Sequence, residues 1–333
     1  MRVLLISTWK PRRGGIVTYV ENTMTNSRNE FIIITYPQVP DIPVLRALLF
    51  VLWGFLRGLR LRYDIIHAHY AMPQGFLGVL LKIARRKPLV LTVHGSDAAL
   101  GKGPLSPLLR WVLRRSDRIM TVSRFLQREV IALGAREGTV RVIYGGVTPR
   151  TVPMRRSEDG ARIIFVGGLV RQKGVDILLE AFQRVRAAEK GAELWIVGDG
   201  RERPGLEALA RGLEGVRFLG RREDLTAVFD GESVLVLPSR TEGFGLVLRE
   251  AMASGVPGGA TRGGGIEEVV EDGVNGLLVE KEDPTALAQG ILKLLKGEAL
   301  RERLVKNGLA TARAFPWERT AREVDAVYAE LLS

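Results

Sequence analysis

The sequence contains no cysteine, and aromatic residues make up only 7% of its 333 residues. The absence of cysteine excludes disulfide bridges and thiolate metal sites, a composition that fits a reducing cytoplasm. The sparse aromatic residues form no stacking pattern on basic strands, so a nucleic-acid partner is disfavoured although the net charge is +12. An apolar fraction of 46% is enough to give each of two domains its own core.

Long apolar runs are also missing. The longest, residues 47–56, has about half of the roughly 20 residues that a helix needs to cross a bilayer, so no membrane span is predicted. A strand-like run at residues 3–6 opens the chain without the regions of a signal peptide before it. We therefore expect a protein that is not exported and is located in the cytoplasm.

Acidic residues are scarce in the first half of the chain. Residues 1–150 carry 23 basic and 8 acidic side chains, a net charge of +15, whereas residues 151–333 carry 26 basic and 29 acidic side chains, a net charge of −3. This asymmetry indicates that the first half faces something anionic: nucleic acid, a lipid surface or a phosphorylated substrate.

Short β-branched runs alternate with helical patterns, which is typical of parallel sheets flanked by helices. The alternation stops at the glycines and proline of residues 145–149 and resumes at residue 162, which indicates a domain boundary. Two such doubly wound domains leave a cleft at their strand ends, where ligands usually bind. We predict strands near residues 2–7, 31–35, 64–67, 89–94, 118–122, 140–143, 162–166, 193–197, 216–219, 233–237 and 277–279.

The most informative segment is residues 238–255, PSRTEGFGLVLREAMASG. It follows a predicted strand, passes a turn containing Gly243 and Gly245, and enters a helix whose first backbone N–H groups can bind phosphate. Glu242 and Glu250 bracket this turn with seven residues between them and lie on a similar face. Their carboxylates can accept hydrogen bonds from sugar and ribose hydroxyls.

This segment resembles the Glu-x7-Glu signature of the retaining glycosyltransferases with the GT-B fold, in particular those of family 4. The resemblance covers nearly the whole chain, through motifs at Gly14-Gly15, residues 92–97 (TVHGSD), 121–123 (TVS), 165–169 (FVGGL) with Lys173-Gly174, 197–200 (VGDG) and 315–318 (FPWE). It implies an α/β GT-B architecture of two Rossmann-like, doubly wound domains facing across a cleft. The expected parts are an acceptor-side domain at 1–150, a nucleotide-sugar donor-binding domain at 151–315, and a C-terminal helix at 316–333 returning toward the first domain.

The resemblance also implies roles in binding a nucleotide-sugar donor. Glu250 would hold the ribose hydroxyls, with a solvated helix carboxylate as the alternative. Backbone N–H groups of the turn would meet the diphosphate, and the glycine pair after the first strand would approach the donor unless it serves only the turn. The remaining donor-binding candidates are Gly14, Gly15, Gly198, Gly243, Phe244, Gly245 and Leu246.

The catalytic candidates are His94, Lys173, Arg171 and Glu242. Glu242 would contact hydroxyls of the transferred sugar, and Lys173 would offset charge on the departing diphosphate. Many family members carry an arginine at the position of Gly168, so Arg171 is assigned as the nearest replacement. His94 ends a predicted strand and by resemblance contacts the donor sugar, with a structural histidine as the alternative.

No metal and no cofactor are predicted, since the nucleotide sugar is itself a substrate. His67 and His69 alternate on one strand face, but two ligands without a carboxylate cluster are insufficient for a metal site. Asp97 is more typical of a helix cap. Lys173, Arg171 and the backbone amides at the helix start would together stabilise the leaving diphosphate, as a metal ion does in other enzymes.

Two other functions remain open. One is a nucleotide-sugar epimerase or a phosphorylase on the same fold, which the Glu-x7-Glu pattern disfavours. The other is a non-catalytic nucleotide- or nucleic-acid-binding protein. The preferred hypothesis is a retaining, metal-independent hexosyltransferase that transfers a sugar from a nucleotide-sugar donor to a hydroxyl acceptor. The acceptor would be lipid-linked or a polysaccharide precursor.

Two further features carry specific expectations. Gly258-Gly259 stands where family members have apolar residues, which predicts a frayed strand. Residues 44–62 place leucines, Trp53 and Phe55 among arginines, a composition typical of a helix that lies at an anionic membrane surface on the inner face. An ordinary helix packed on the sheet is the alternative.

Overall fold

The computed structural model describes residues 1–7, 14–35, 43–95, 103–148, 162–222, 224–225, 228–229 and 233–333. Asp97 and the predicted boundary between residues 150 and 151 lie outside the described residues. The chain divides into two compact units, one formed by Met1–Gly146 with Trp317–Ser333 and the other by Val147–Pro316.

All described strands belong to two sheets in which neighbouring strands run parallel. The strands are β1 Arg2–Ile6, β2 Glu30–Ile34, β3 Ile65–His69, β4 Leu89–Val93, β5 Arg118–Thr121, β6 Val140–Val142, β7 Arg162–Val166, β8 Glu193–Val197, β9 Val216–Gly220, β10 Ser233–Leu237, β11 Gly258–Thr261 and β12 Leu277–Val279. The first sheet has the order β2-β1-β3-β4-β5-β6 and the second the order β12-β11-β10-β7-β8-β9. The predicted α/β class with two parallel sheets is confirmed.

Helices separate most of these strands in the sequence. They are α1 Gly15–Asn26, α2 Pro43–Arg60, α3 Phe76–Arg85, α4 Ser106–Arg115, α5 Arg124–Ala132, α6 Val175–Ala188, α7 Arg203–Leu209, α8 Leu246–Ala253, α9 Pro284–Lys296, α10 Glu298–Arg313 and α11 Trp317–Leu332. The last of them, α11, belongs to the first unit and packs against α1.

The two faces of the first sheet belong to two different cores, since successive side chains of a strand point to opposite sides. Leu4 joins a large core that includes Phe50 of α2. Val3, the preceding residue, joins a second core that includes Val324 of α11. The buried strands therefore read as continuous apolar runs, which is why the sequence located them.

In the second sheet the strand order reverses between β7 and β10, which pair with each other. Open parallel sheets bind ligands at the carboxyl ends of their strands beside such a reversal. The segments that follow β7 and β10 are therefore the ones placed to form a site.

The strand predicted to be frayed is intact. All four residues of β11 are buried, and its two glycines pair with Leu235 of β10 and Leu277 of β12. A Cβ atom on Gly259 would lie 3.2 Å from the side chain of Leu294. The prediction was wrong because it rested on glycines replacing the apolar residues of other family members, whereas paired neighbours on both sides and a covering leucine hold the strand in place.

Helix α2 has two different faces. Phe50 is fully buried in the core of the first unit, and Trp53 and Phe55 pack against that core. Leu48 and Leu52, in contrast, are 64% and 59% exposed. Nowhere in the described ranges is a helix both long enough and apolar enough to pass through a bilayer.

Candidate functional site

The turn after β7 and the loop after β10 meet at the carboxyl edge of the second sheet. Arg171–Lys173 forms a single helical turn between β7 and α6. The loop from Pro238 to Gly245 connects β10 to α8. Because β7 and β10 are parallel neighbours, these two segments lie side by side where the strand order reverses.

Lys173 and Glu242 form a direct ion pair across these two segments. The Nζ atom of Lys173 donates to Oε2 of Glu242, and the Ser239 hydroxyl donates to the same oxygen at 3.4 Å. The backbone N–H of Gly243 donates to the other oxygen, Oε1, at 3.2 Å. The two side chains are only 25% and 14% exposed, so solvent screens this pair less than an ordinary surface ion pair.

Arg240 holds the two segments together, and the sequence analysis did not single it out. Its backbone N–H donates to the carbonyl of Gln172 at 2.8 Å, and its guanidinium donates to the carbonyl of Arg171 at 2.7 Å. The same guanidinium makes two hydrogen bonds to the carboxylate of Asp176, at 2.9 and 2.8 Å, which lower the pKa of Asp176. Nothing in the local pattern distinguishes this arginine from a solvated one.

Glycines allow the close approach of neighbouring turns at two positions. Gly174 has a φ of +65°, and a Cβ atom there would lie 2.0 Å from the carbonyl oxygen of Pro238. Gly198 has a φ of +146°, and a Cβ atom there would lie 1.8 Å from the carbonyl oxygen of Gly167. Gly198 is therefore required by the fold of the second unit whether or not it contacts a ligand.

Helix α8 begins directly after the glycine turn, with Gly245 at a φ of +80°. As at any helix start, the first backbone N–H groups lack intrahelical acceptors, so the amide of Leu246 is available to an anion. Glu250 lies one turn further along and is partly exposed. This arrangement brings a lysine, two carboxylates and a helix start to one edge of the sheet.

Arg249, which was not predicted, fixes the base of the same turn. It is 1% exposed, and its guanidinium carbon lies 4.4 Å from the ring centroid of Phe244 and 3.7 Å from that of Phe315. The side chain of Phe244 is itself 5% exposed. The ring of Phe244 therefore belongs to the packing under the turn. The predicted contact of this turn with the donor involves its backbone N–H groups.

In the first unit, Gly14 and Gly15 form the exposed start of α1. A Cβ atom on Gly14 would meet no described atom within 4 Å. The part of the unit that the structure describes thus gives no steric reason for a glycine at position 14. This leaves room for a ligand close to the backbone.

His94 follows the last residue of β4 and is partly exposed. Its Nε2 atom is hydrogen-bonded to Nδ1 of His69 at 2.9 Å, and the ring of Tyr19 lies nearly perpendicular to its ring with the centroids 5.3 Å apart. Burial lowers the pKa of His94 to about 3, so the imidazole is neutral at neutral pH.

No group of three histidine or carboxylate side chains able to hold a metal occurs among the residues described. Both ring nitrogens of His67 are engaged by the protein, Nδ1 with the hydroxyl of Tyr328 at 2.5 Å and Nε2 with that of Thr92 at 2.7 Å. Burial lowers the pKa of His67 to about 3.

The structure thus brings together Lys173, Arg171, Glu242, Glu250 and the turn from Gly243 to Leu246 in the second unit. Gly198 lies at the end of the neighbouring strand β8. Arg171 is exposed and contributes its carbonyl to Arg240, while its side chain has no partner within the described segments. His94, Gly14 and Gly15 belong to the first unit.

Two family models match the chain. The model described as Glycosyltransferase Family 4 matches residues 10–151, and the one described as Glycosyl transferases group 1 matches residues 160–297. An uncharacterized glycosyltransferase of Methanocaldococcus jannaschii is 35% identical, with 99% of both chains covered. The N-acetyl-alpha-D-glucosaminyl L-malate synthase of Bacillus anthracis is 32% identical over 81% of this chain and 75% of its own. Among solved structures, Anabaena HepE in complex with UDP-glucose is similar in fold, with a TM-score of 0.83, 20% identity and coverage of 99% and 100%.

Proposed function

The chain belongs to the family 4 glycosyltransferases, which use nucleotide-sugar donors, and from this we propose that it is a retaining, metal-independent enzyme whose donor binds at the carboxyl edge of the second sheet. The observation that carries the proposal is the ion pair of Lys173 and Glu242 beside the start of α8, at the reversal of strand order. A cation, a carboxylate and free helix-start amides are the groups needed by a diphosphate and a sugar.

In the proposed mechanism each group has one task. Lys173, with the amides at the start of α8 and Arg171, stabilises the charge that develops on the departing diphosphate. Glu250 holds the ribose, Glu242 accepts hydrogen bonds from the sugar, and the family resemblance assigns His94 a contact with the same sugar. The bond from the anomeric carbon to the phosphate oxygen breaks, and the bond to the acceptor oxygen forms on the same face. The acceptor proton passes to the departing phosphate oxygen.

The donor can be identified by thermal shift. A nucleotide sugar that binds the folded protein raises its Tm with the logarithm of its concentration over its Kd. HepE binds UDP-glucose, so UDP sugars are the first probes, followed by ADP and GDP sugars. We expect one nucleotide series to raise the Tm of the wild type and to do so less with Glu250→Gln. The absence of a shift with every nucleotide sugar would contradict the proposal.

The stereochemical outcome is tested by NMR of the product formed from the identified donor. An anomeric coupling constant that matches the donor configuration supports retention. The opposite configuration would overturn the proposed same-face mechanism, even if transfer itself is observed.

We further propose that the acceptor hydroxyl is presented at an anionic lipid surface, against which α2 docks. Its exposed apolar residues recur at helical spacing and form a stripe, which we call the leucine stripe: Leu45, Leu48, Leu52 and Leu56. Arg57 and Arg60 are exposed near the end of the helix, and the first half of the chain carries a net charge of +15. Apolar side chains flanked by arginines suit an interface of acyl chains and anionic headgroups.

Sedimentation with vesicles tests this surface. The wild type is expected to sediment with vesicles containing phosphatidylglycerol at low salt, and less as salt rises. Replacing Leu48 and Leu52 by serine should weaken sedimentation at an unchanged Tm, whereas Leu209→Ser, at a 59% exposed leucine of the second unit, should leave it unchanged. Serine at Trp53 or Phe55 is expected to lower the Tm instead, because both pack on the core.

The alternative acceptor is a soluble anionic hydroxyl compound. L-malate, which appears in the name of the Bacillus anthracis relative, is a compound of this kind. Failure of the wild type to sediment with acidic vesicles at low salt would reject lipid docking. Transfer to malate or a similar compound would then support the soluble acceptor.

A further inference from the structure

All three histidines of the chain lie close together in the first unit. His67 and His69 are on β3, with ring centroids 4.2 Å apart, and His94 follows the neighbouring strand β4. The planes of the His69 and His94 rings are nearly parallel, with an interplanar angle of 18°, and the two rings share the hydrogen bond of 2.9 Å between Nδ1 of His69 and Nε2 of His94.

The hydrogen bond couples the protonation of the two rings. Burial lowers the pKa of both His69 and His94, so both imidazoles are neutral at neutral pH. A neutral imidazole carries one proton on one of its two nitrogens. One ring must therefore donate and the other accept, and the tautomer of His69 fixes the tautomer of His94.

His69 is also the more firmly held of the two rings. It is 1% exposed and packs between the ring of His67 and the ring of Tyr19, with centroid distances of 4.2 and 6.1 Å. His67 is in turn anchored to Tyr328 and Thr92. His94, by contrast, is partly exposed. The interior ring thus sets the orientation of the ring nearer the surface.

We propose that His69 is a positioning residue, which fixes the ring plane and the tautomer of His94 for its contact with the substrate sugar. The inference rests on the proposed role of His94 in the transfer reaction. The protonation state of the bonded nitrogen decides whether the opposite nitrogen of His94 accepts or donates a hydrogen bond. A sugar hydroxyl can bond to a donor nitrogen or to an acceptor nitrogen. It takes one fixed orientation only if His94 keeps one tautomer.

The first test needs no activity. Because the chain has only three histidines, a ¹⁵N long-range NMR spectrum of the imidazoles contains three sets of signals that single substitutions assign. We expect opposite protonation at Nδ1 of His69 and Nε2 of His94 in the wild type, and tautomer averaging of His94 in His69→Leu. Equal protonation of both bonded nitrogens, or an unchanged His94 tautomer in His69→Leu, would overturn the inference.

The second test is kinetic. His69→Leu should lower kcat by about 10- to 100-fold, the usual range for a misplaced group, and His69→Asn should restore part of it because its amide reaches the position of Nδ1. In a His94→Ala background, His69→Leu should cost nothing further, since it acts through His94. An equal loss in both backgrounds would mean that His69 acts otherwise.

Two comparisons separate this inference from its premise and from a general loss of packing. Wild-type kinetics for His94→Ala would reject the assigned role of His94 itself. An impaired His94→Ala with an unimpaired His69→Leu would reject only the positioning role. Tyr328→Phe removes a bond to His67 but leaves the bond between His69 and His94, so it should lower the Tm and cost much less kcat than His69→Leu; a loss of kcat equal to that of His69→Leu would indicate loosening of the core.

Discussion

Lys173 is ion-paired with Glu242, a residue 69 positions further along the chain. In the proposed reaction the first faces the leaving diphosphate and the second faces the transferred sugar, so the two groups neutralise each other until a donor arrives. The pair keeps the ammonium group at the edge of the sheet without leaving a partly buried charge unpaired.

Lys173→Ala should lower kcat by about 10²-fold or more, the usual cost of removing one preorganised electrostatic group. Steady-state assay with saturating donor measures this loss. Lys190→Ala is the control, because Lys190 is exposed just after the end of α6, whereas Lys173 precedes the start of that helix. Equal activity of both variants would mean that Lys173 does not act on the diphosphate.

Glu250→Gln should raise the KM for the donor with little change in kcat, because ribose contacts are made equally before and during the reaction. Glu242→Ala should mainly lower kcat, since its contacts to the sugar tighten in the transition state. Glu302→Gln, at an exposed position of α10, serves as the reference for a lost surface carboxylate. Unchanged kinetics in both site variants would refute the assignment of this loop.

Gly14→Ala and Gly174→Ala should have opposite consequences. The first adds a methyl group where no described atom lies within 4 Å, so the Tm should hold while the KM for the donor rises. The second places a Cβ atom 2.0 Å from a carbonyl oxygen at a φ of +65°, which should lower the free energy of unfolding by about 1–3 kcal/mol or more. Urea unfolding and donor titration measure the two effects; a destabilised Gly14→Ala would show that this glycine serves the fold.

The contribution of Asp176 to stability should depend on pH. Its pKa is lowered from the ordinary value of 3.8 by the hydrogen bonds from Arg240, so the charged form stabilises the folded state above that value. The stabilisation is lost as pH falls below 3.8 through the lower pKa of the folded state. The difference in urea midpoint between wild type and Asp176→Asn should therefore narrow from pH 6 to pH 3, and a constant difference would contradict this account.

A chelator should leave transfer unaffected. EDTA is expected to give the same rate as buffer alone, because Lys173 and the amides of α8 are proposed to supply the stabilisation of the leaving group. The assay is run with dialysed enzyme and with magnesium or manganese added back. A rate that falls in EDTA and returns with either ion would reject the metal-independent mechanism.

The sequence located most strands because buried parallel strands read as apolar, β-branched runs. It failed at β11, where hydrogen bonds from β10 and β12 outweigh the poor strand propensity of Gly258 and Gly259. It also placed the end of β3 at residue 67, two residues short of His69. Boundaries of this kind depend on tertiary pairing, which local patterns do not contain.

The site was only partly visible for a related reason. Motif spacing and the family resemblance predicted Glu242, Glu250 and Lys173 as site residues, because a turn into a helix leaves a local signature. Arg240 and Arg249 were missed, since an arginine that bridges two loops or stacks between two rings has the same local sequence as a solvated one. The hydrogen bond of His69 and His94 joins residues 25 positions apart, and only the pairing of β3 with β4 brings them together.

Helix α11 follows the second unit in the sequence but completes the core of the first unit, which fixes the order of folding during translation. This helix is translated after the entire second unit, yet Val324, Val327 and Tyr328 complete a core whose other members include Val3, Ile65 and Val90. While the ribosome makes residues 147–316, this face of the first sheet therefore lacks its contacts with α11, and His67 lacks its hydrogen bond to Tyr328. Until α11 is made, the nascent first unit therefore exposes apolar surface that a chaperone can protect.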